Sequence, residues 1–292
     1  MDILTFDIEE WYLEKIRHGG RSVRYQQFDG IFDKVLADLN DAGIKATFFC
    51  VGQLATHFPE KIRLIVEHGH EVGCHSNEHR WLNKMTEEQL RKDTLEALKA
   101  LEDVTGKKVV SYRAPAFSIT RQNKWVVNVL SDCGIEIDAS IFPTNRDFGG
   151  YKGFPQDKPC IISHEGATLK EYPISLTSVF GKQIAYSGGG YFRLMPHWFV
   201  NTTMKHRDYN ICYFHLADLI QQGSKLMSKQ AYEDYFKEPG TLKNRLNRYV
   251  KRNIRIGDTY EKFNAVLQDF DFISIRKSQE LIRWDIVKRI EL

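Results

Sequence analysis

Short apolar runs alternate with longer segments of helical periodicity along the 292-residue sequence. Each run has the length and composition of a β-strand, and the runs lie at residues 3–6, 46–51, 70–75, 109–115, 134–140, 170–175, 211–216 and 271–275. This alternation is typical of parallel sheets whose strands are joined by helices. No G-x-G-x-x-G motif follows the first run, which favours a barrel over an open dinucleotide-binding sheet. The sequence therefore predicts an α/β fold, a barrel of seven to eight parallel strands.

The same pattern predicts a single domain, residues 1–292, because no linker composition or internal repeat interrupts it. A hydrophobic content of 42% is enough for one large core. Thr86 and Gln89 have the spacing of a capping box and predict the start of a helix. Residues 144–169 and 176–192 lack clear periodicity and are rich in glycine, so they are predicted to be long loops over one end of the barrel.

Composition argues against several classes of partner and site. The 41 basic and 38 acidic residues give a formal net charge of +3, so no overall field favours nucleic acid. The five cysteines are scattered without a CxxC pair, which argues against a disulfide framework or a thiolate metal site. The first residues show no basic segment followed by an apolar stretch, and no run of about 18 apolar residues occurs. We therefore expect a cytoplasmic protein with no membrane span.

Ionisable side chains stand at the ends of five predicted strands. Asp7, His75, Arg113, Asp138 and His215 each lie at or just past the carboxyl end of a different strand. In a parallel barrel these ends meet at one opening, where active sites of this architecture are found. The pattern therefore predicts a polar site at that end of the barrel.

The motif H-S-N-E-H, residues 75–79, indicates a metal site. On a helical turn, His75 and His79 would present their rings on the same side and could share one divalent ion, with a carboxylate as third ligand. The spacing alone is a weak signal, because such pairs also occur by chance. It gains weight from the acid cluster T-F-D-I-E-E-W at residues 5–11 and from His215 at another strand end.

Five motifs in order resemble those of the polysaccharide deacetylases of the NodB-homology type, carbohydrate esterase family 4, in the branch whose first motif reads D-x-E. They are T-F-D-I-E-E-W (5–11), H-S-N-E-H (75–79), R-A-P-A-F (113–117), D-A-S-I-F-P (138–143) and Y-F-H-L-A-D-L (213–219). The resemblance extends over nearly the whole chain. It implies a deformed, NodB-like (β/α) barrel and metal-dependent hydrolysis of an N-acetyl group on a sugar.

The first motif departs from the common family pattern, in which the catalytic base is followed directly by a metal ligand, because position 8 is isoleucine. Residues two apart on a strand point the same way, so Asp7 is assigned as the base and Glu9 as the third metal ligand. Glu10 stays open as the alternative ligand if the strand ends after Asp7.

The resemblance also implies roles for the other strand-end residues. Arg113 would hold Asp7 ionised and oriented. His215 would be the general acid, and Asp138 would orient His215 or shape the pocket.

Five residues are candidates for contacts with substrate. Trp11, beside the acids, could stack on a sugar face. Pro115 and Phe117 belong to the third motif. Tyr191 and Arg193 follow three glycines and could supply aromatic and cationic contacts from a loop.

The resulting hypothesis is an N-deacetylase that acts on an N-acetylated sugar or glycan precursor, nucleotide-linked or lipid-linked, in surface polysaccharide assembly. It would use one divalent metal ion, with zinc the default for a His, His, carboxylate site. A lipid-linked substrate would allow peripheral contact with a membrane. The basic stretch 243–255 is either a solvated helical face or a surface for phosphate groups or anionic lipid.

Two other functions stay open. One is an amidohydrolase acting on a small non-carbohydrate amide or ureide. The other is a catalytically silent barrel that binds a glycan, which the departure at Ile8 would explain. The sequence does not indicate the oligomeric state.

Overall fold

The computed structural model describes residues 1–18, 23–144, 149–220, 226–236, 238–253 and 258–292. The strands are β1 (Asp2–Ile8), β2 (Thr47–Cys50), β3 (Glu71–Cys74), β4 (Ser111–Tyr112), β5 (Ile137–Asp138), β6 (Cys160–His164), β7 (Ala167–Glu171), β8 (Leu176–Val179), β9 (Lys182–Ala185), β10 (Asn210–Phe214), β11 (Phe272–Ile273) and β12 (Arg289–Glu291).

The helices connect and cover these strands. They are α1 (Glu10–His18), α2 (Val23–Asp41), α3 (Gly52–His57), α4 (Pro59–Glu67), α5 (Glu87–Thr105), α6 (Val126–Asp132), α7 (Gly189–Leu194), α8 (His197–Lys205), α9 (Lys229–Phe236), α10 (Leu242–Asn253), α11 (Thr259–Asp269) and α12 (Ile275–Gln279). As predicted, α5 begins with a capping box, in which the backbone N–H of Gln89 donates to Thr86 Oγ1 and the N–H of Thr86 donates to Gln89 Oε1.

One sheet organises the protein. Its strands lie in the order β10, β1, β2, β3, β4, β5, β7, β6, β12, and β11 pairs with the start of β1. The seven strands from β10 to β7 are parallel, while β6 is antiparallel to β7 and β12 is parallel to β6. The predicted α/β fold with a mainly parallel sheet is confirmed. Among the described residues the strand pairings run from β10 to β12 without closing into a ring.

The central strand β1 is buried along almost its whole length, as expected for a parallel strand covered on both faces. Phe6 stacks on Phe48 of β2 with ring centroids 4.8 Å apart, and it also packs against Phe214 of β10. Burying each such ring contributes about 1.5–3 kcal/mol. This packing fixes the strand that carries Asp7.

The two predicted long loops instead contain β-hairpins. Strand β6 and the first part of β7 fall within 144–169, and β8 and β9 fall within 176–192, which also includes most of α7. Each hairpin closes with a two-residue turn in which both residues have positive φ, Glu165–Gly166 and Phe180–Gly181. The prediction of loops was wrong because β8 and β9 are partly exposed and show little alternation of apolar residues.

No helix in the described part of the chain is both long enough and apolar enough to cross a lipid bilayer.

Candidate functional site

Several ionisable side chains meet at the carboxyl ends of the parallel strands. Asp7 is the next-to-last residue of β1, His75 and Arg113 directly follow β3 and β4, and His215 directly follows β10. Arg113, His75 and His215 all act electrostatically on the carboxyl group of Asp7. Parallel topology therefore brings together residues that are far apart in sequence, as the sequence predicted for an α/β barrel.

Glu9, His75 and His79 form a cluster whose ligand atoms all lie within 4.8 Å of one another. Glu9 Oε2 is 3.8 Å from Nε2 of His75 and lies against Nε2 of His79. This Oε2 is buried and has no hydrogen bond of acceptable geometry within the described residues. Two imidazole nitrogens and a carboxylate oxygen converging on one point are a suitable ligand set for a divalent ion such as zinc.

The segment 75–79 that carries both histidines is a loop and not the predicted helical turn. Ser76 and His79 have left-handed backbone angles, with φ of 63° and 56°, and this turns the two rings to a centroid distance of 5.2 Å. Helix α5 holds the loop in place, because Asp93 accepts a hydrogen bond of 2.7 Å from the backbone N–H of Asn77. His75 and His79 are therefore brought together by tertiary contacts that hold the loop, and not by their four-residue spacing on a helix.

His75 is oriented by a backbone carbonyl. Its Nδ1 lies 2.7 Å from the carbonyl oxygen of Arg113. Since a carbonyl can only accept, Nδ1 must carry the hydrogen, which leaves the lone pair on Nε2 facing Glu9. Burial lowers the pKa of His75 to about 4 despite the charges of Asp7 and Glu9, so the ring is neutral at physiological pH. A neutral, fixed imidazole is the form that ligates metals.

Glu9 and Glu10 are adjacent, but only Glu9 is in contact with His75 and His79. Burial opposes ionisation of Glu9, but His79, His215 and His75 outweigh it and lower its pKa. Glu10 turns away, and its oxygens accept from the backbone N–H groups of Glu9 (3.2 Å) and Ala217 (3.0 Å). Burial, together with the charge of Glu9, raises the pKa of Glu10 to about 7. Glu9 is therefore the carboxylate of the cluster, and Glu10 ties the start of α1 to the segment after β10.

Asp7 is buried and paired with the fully buried Arg113. Nη1 of Arg113 donates to Asp7 Oδ1 at 2.9 Å and to Thr5 Oγ1 at 2.7 Å, and its Nε donates to the carbonyl of Ala139 at 3.1 Å. Burial opposes the negative charge, but Arg113, followed by His75 and His215, lowers the pKa of Asp7 overall. Asp7 is thus an oriented carboxylate beside the metal-ligand cluster.

Asp218, which the sequence analysis did not identify, orients His215. Asp218 Oδ2 is 3.2 Å from Nδ1 of His215 and accepts from the backbone N–H of the same residue at 3.1 Å. Nε2 of His215 faces Glu9 Oε1 at 3.6 Å. Burial opposes protonation, but the hydrogen bond to Asp218 and the charges of Glu9, Asp218 and Asp7 raise the pKa of His215 well above its ordinary value. The H-x-x-D spacing after the strand was a visible signal for this pair.

Asp138 does not contact His215 and instead pairs with another acid. It lies beside Glu171 on the neighbouring strand, both side chains are fully buried, and the charge of Asp138 opposes ionisation of Glu171. Asp138 Oδ1 accepts from Ser140 Oγ at 2.5 Å, and Glu171 Oε1 accepts from the N–H of Ile141 at 3.0 Å. Of the two predicted roles, orienting His215 is therefore wrong, and Asp138 shapes the backbone that holds Arg113.

The predicted substrate-contacting residues are mostly buried. Trp11 is 1% exposed, packs edge-on against Phe28 and Phe32, and donates from Nε1 to Asp29 at 3.1 Å. Its indole is part of the core and has no free face for a sugar, contrary to the prediction.

The other four candidates differ in their surroundings. Pro115 and Phe117 are buried, and the ring of Phe117 packs against Tyr213 with centroids 5.1 Å apart. Arg193 is buried in an ion pair with Asp218 and so supports His215 from behind instead of reaching solvent. Tyr191 alone of the five is partly exposed.

Two family models match the chain. The model described as polysaccharide deacetylase matches residues 3–137, and a domain of unknown function, DUF3473, matches residues 139–280. The boundary falls at Asp138, inside the central sheet, and β10 from the second region pairs with β1 from the first. Accordingly, the ligand cluster lies within the first region and His215 with Asp218 within the second.

Curated relatives match a limited part of the chain. Peptidoglycan-N-acetylglucosamine deacetylases from Listeria monocytogenes and Bacillus cereus are 33% and 32% identical over 88 and 93 residues, which is 30% and 32% of this chain. A peptidoglycan deacetylase from Helicobacter pylori is 36% identical over 108 residues, or 37% of this chain. These matches span only 19%, 34% and 35% of the respective relatives.

Solved structures share the fold at low sequence identity. A Mycobacterium smegmatis protein assigned provisionally as a polysaccharide deacetylase is 20% identical, with a TM-score of 0.64, covering 100% of this chain and 92% of that protein. A 4-alpha-glucanotransferase from Thermococcus litoralis is 12% identical, with a TM-score of 0.57, and the match covers 100% of this chain and 41% of that enzyme. At these identities the similarity concerns the fold alone.

Proposed function

Because the chain carries, at residues 3–137, a polysaccharide deacetylase domain of carbohydrate esterase family 4, we propose that it is a metal-dependent N-deacetylase that releases acetate from an N-acetylated sugar. One observation carries the proposal. A Glu9, His75, His79 ligand cluster has Nε2 of His215 3.6 Å from Glu9 Oε1, and both His75 and His215 act electrostatically on the carboxylate of Asp7.

Asp7 is proposed as the general base. Amide hydrolysis requires removal of a proton from the attacking water, and a carboxylate is competent to accept it when it is ionised and held still. The ion pair with Arg113 provides both conditions, since it lowers the pKa of Asp7 and fixes one of its oxygens at 2.9 Å.

His215 is proposed as the general acid. The departing amine must receive a proton, and His215 is charged at neutral pH because of Asp218 and the other acids nearby. Its Nδ1 is engaged by Asp218, so Nε2, on the side of the ligand cluster, is the atom that can donate. Arg193 keeps Asp218 in place through a buried ion pair.

Glu9, His75 and His79 would hold the metal ion, and zinc is the proposed metal for this ligand set. Such an ion, when bound, lowers the pKa of a coordinated water and polarises the acyl oxygen.

The proposed substrate is an N-acetylated sugar in a precursor of a surface polysaccharide, processed in the cytoplasm. The names of the curated relatives, which are deacetylases of peptidoglycan or of its N-acetylglucosamine, support an N-acetylated glycan as the chemical class. Cell fractionation tests the location.

The test is acetate release from N-acetylglucosamine oligomers and from UDP-N-acetylglucosamine by the zinc-loaded protein. Asp7→Asn should lower kcat by about 10²–10⁴-fold while zinc content is retained. Asp132→Asn is the matched control, because Asp132 is an exposed, ion-paired aspartate at the end of α6, where the chain leads into the start of β5. Zinc binding without acetate release from either substrate would contradict the proposal.

A further inference from the structure

Helix α10 carries an exposed apolar face. Leu242, Leu246, Tyr249 and Val250 have 57%, 43%, 38% and 53% of their surfaces exposed. At 3.6 residues per turn these four positions fall within an arc of about 100° on one side of the helix. Apolar residues in such a stripe normally face a core, so their exposure on a 12-residue helix needs another explanation.

The helix contacts the protein through a different side. Asn244 donates from its side chain to the carbonyl of Pro239 at 2.9 Å, and Arg245 donates from Nη1 to the carbonyl of Met227, also at 2.9 Å. Among the residues of α10 whose side chains the structure describes, the less exposed ones are Asn244, Arg245, Arg248 and, at the last position, Asn253. The apolar arc therefore points away from the surface on which the helix rests.

The charge of α10 is uniform in sign. Its sequence, L-K-N-R-L-N-R-Y-V-K-R-N, has five basic residues and no acidic one, in a chain whose formal net charge is only +3. By helical position Lys243, which is exposed, stands at one border of the apolar arc, and Arg245 stands at the other, where its guanidinium is held by the carbonyl of Met227. Cations at the borders of an apolar stripe can extend toward phosphate groups while the stripe enters the layer beneath them.

We propose that α10 binds an anionic lipid surface, lying in the headgroup plane with Leu242, Leu246, Tyr249 and Val250 inserted and Lys243 on the lipid phosphates. A protein groove would also cover the apolar arc, but a helix with five basic residues and no acidic one matches a planar, uniformly negative surface better. Nucleic acid would pair with the charges and leave the arc exposed. This inference is independent of the deacetylase activity.

The experiment is cosedimentation of the full chain with vesicles of phosphatidylcholine alone and of phosphatidylcholine mixed with phosphatidylglycerol. The wild type should bind the anionic vesicles selectively, and salt should weaken the binding. Lys243→Glu should weaken it by about fivefold or more, since each basic residue near such a surface contributes about that factor. Leu246→Glu should weaken it by about tenfold or more through loss of apolar burial.

Matched controls separate this effect from misfolding. Lys107→Glu and Leu281→Glu change exposed residues of the same types elsewhere, Leu281 being 60% exposed, and should bind like wild type. All four variants should keep wild-type activity on a soluble substrate, or wild-type thermal melting if that activity is absent. Equal binding by wild type and Leu246→Glu, or no binding to anionic vesicles, would overturn the proposal. So would a wild-type dimer that Leu246→Glu dissociates, because the arc would then face a second copy.

Discussion

Asp7 and Glu9 at the end of β1 and Asp138 and Glu171 at the ends of β5 and β7 are two pairs of carboxyl groups with different neighbours. Asp7 is paired with Arg113, and Glu9 lies between three histidines. Asp138 and Glu171 are register partners on neighbouring strands, and within the described residues neither forms a salt bridge, although the charge of Arg113 acts on Asp138. Burial opposes ionisation in both places.

The pKa values of the carboxyl groups are shifted in opposite directions at the two places. Nearby positive charge lowers the pKa values of Asp7 and Glu9, whereas burial and mutual repulsion raise that of Glu171 well above its usual range. If two adjacent buried carboxyl groups were both charged, they would lose hydration and repel each other, so the pair retains a proton. The protein thus keeps charge on the proposed base and the proposed metal ligand, and retains a proton on the acid pair that positions backbone.

The largest expected effect comes from removing the cation at the end of β1. Arg113→Met should lower the free energy of unfolding by about 3–5 kcal/mol, because it leaves Asp7 buried without its partner. Urea denaturation measures the change. Arg91→Met, which removes an exposed ion pair with Asp132, should cost less than about 1 kcal/mol. Adding Asp7→Asn to Arg113→Met should recover part of the loss, and no recovery would mean that the charge of Asp7 is not the cause.

The next effect distinguishes two adjacent glutamates. Glu9→Gln should lower zinc affinity by about a hundredfold or more, since even groups that only support metal ligands contribute about 10–100-fold. Glu10→Gln, one residue later, should retain stoichiometric zinc because its carboxyl group faces Ala217. Metal content after dialysis, with competition by a chelator, measures both. Loss of zinc in Glu10→Gln with retention in Glu9→Gln would reverse the assignment.

The smallest effect concerns the acid pair of β5 and β7. The pKa of Glu171 is raised on folding, so the folded protein retains a proton that the unfolded chain releases above its ordinary pKa of 4.5. The contribution of Glu171 to stability is therefore fully present below that pH and falls by up to about 1.4 kcal/mol per pH unit as the pH rises toward the raised pKa.

Glu171→Gln removes this decline, because the amide can donate to Asp138 as a protonated acid can. The variant should gain stability relative to wild type as the pH rises, as measured by urea denaturation across a pH series. Glu136→Gln, at an exposed position just before β5, is the control for a general charge effect. Parallel pH profiles for wild type and Glu171→Gln would show that the pair holds no extra proton.

Much of the fold followed from local sequence patterns. Alternating apolar runs predicted the parallel sheet, and Thr86 with Gln89 predicted the start of α5. These predictions succeeded because they depend on periodicity and on contacts within a few residues. The hairpins β6–β7 and β8–β9 were missed because their strands are short and partly exposed, although a glycine at the second turn position marked both.

Site residues were harder to predict where a side chain could turn in either of two directions. Trp11 is beside the acids in sequence, yet α1 directs its indole into the core. Asp218 rather than Asp138 reaches His215, because Asp138 is taken up by Ser140 and Glu171. A residue that contacts another from a neighbouring strand, as Glu171 contacts Asp138, can be predicted only when the register of the sheet is known.

The sequence by itself determined the alternation of strands and helices, the motifs at the strand ends and the residue types available for metal and proton chemistry. Only the tertiary structure decided which of those residues meet and in what charge state. The choice between Glu9 and Glu10 depends on β1 ending at Ile8 and on His75 and His79 arriving from a loop held by α5. A pKa is set by burial and by charges nearby in space, and chain folding alone brings those charges together.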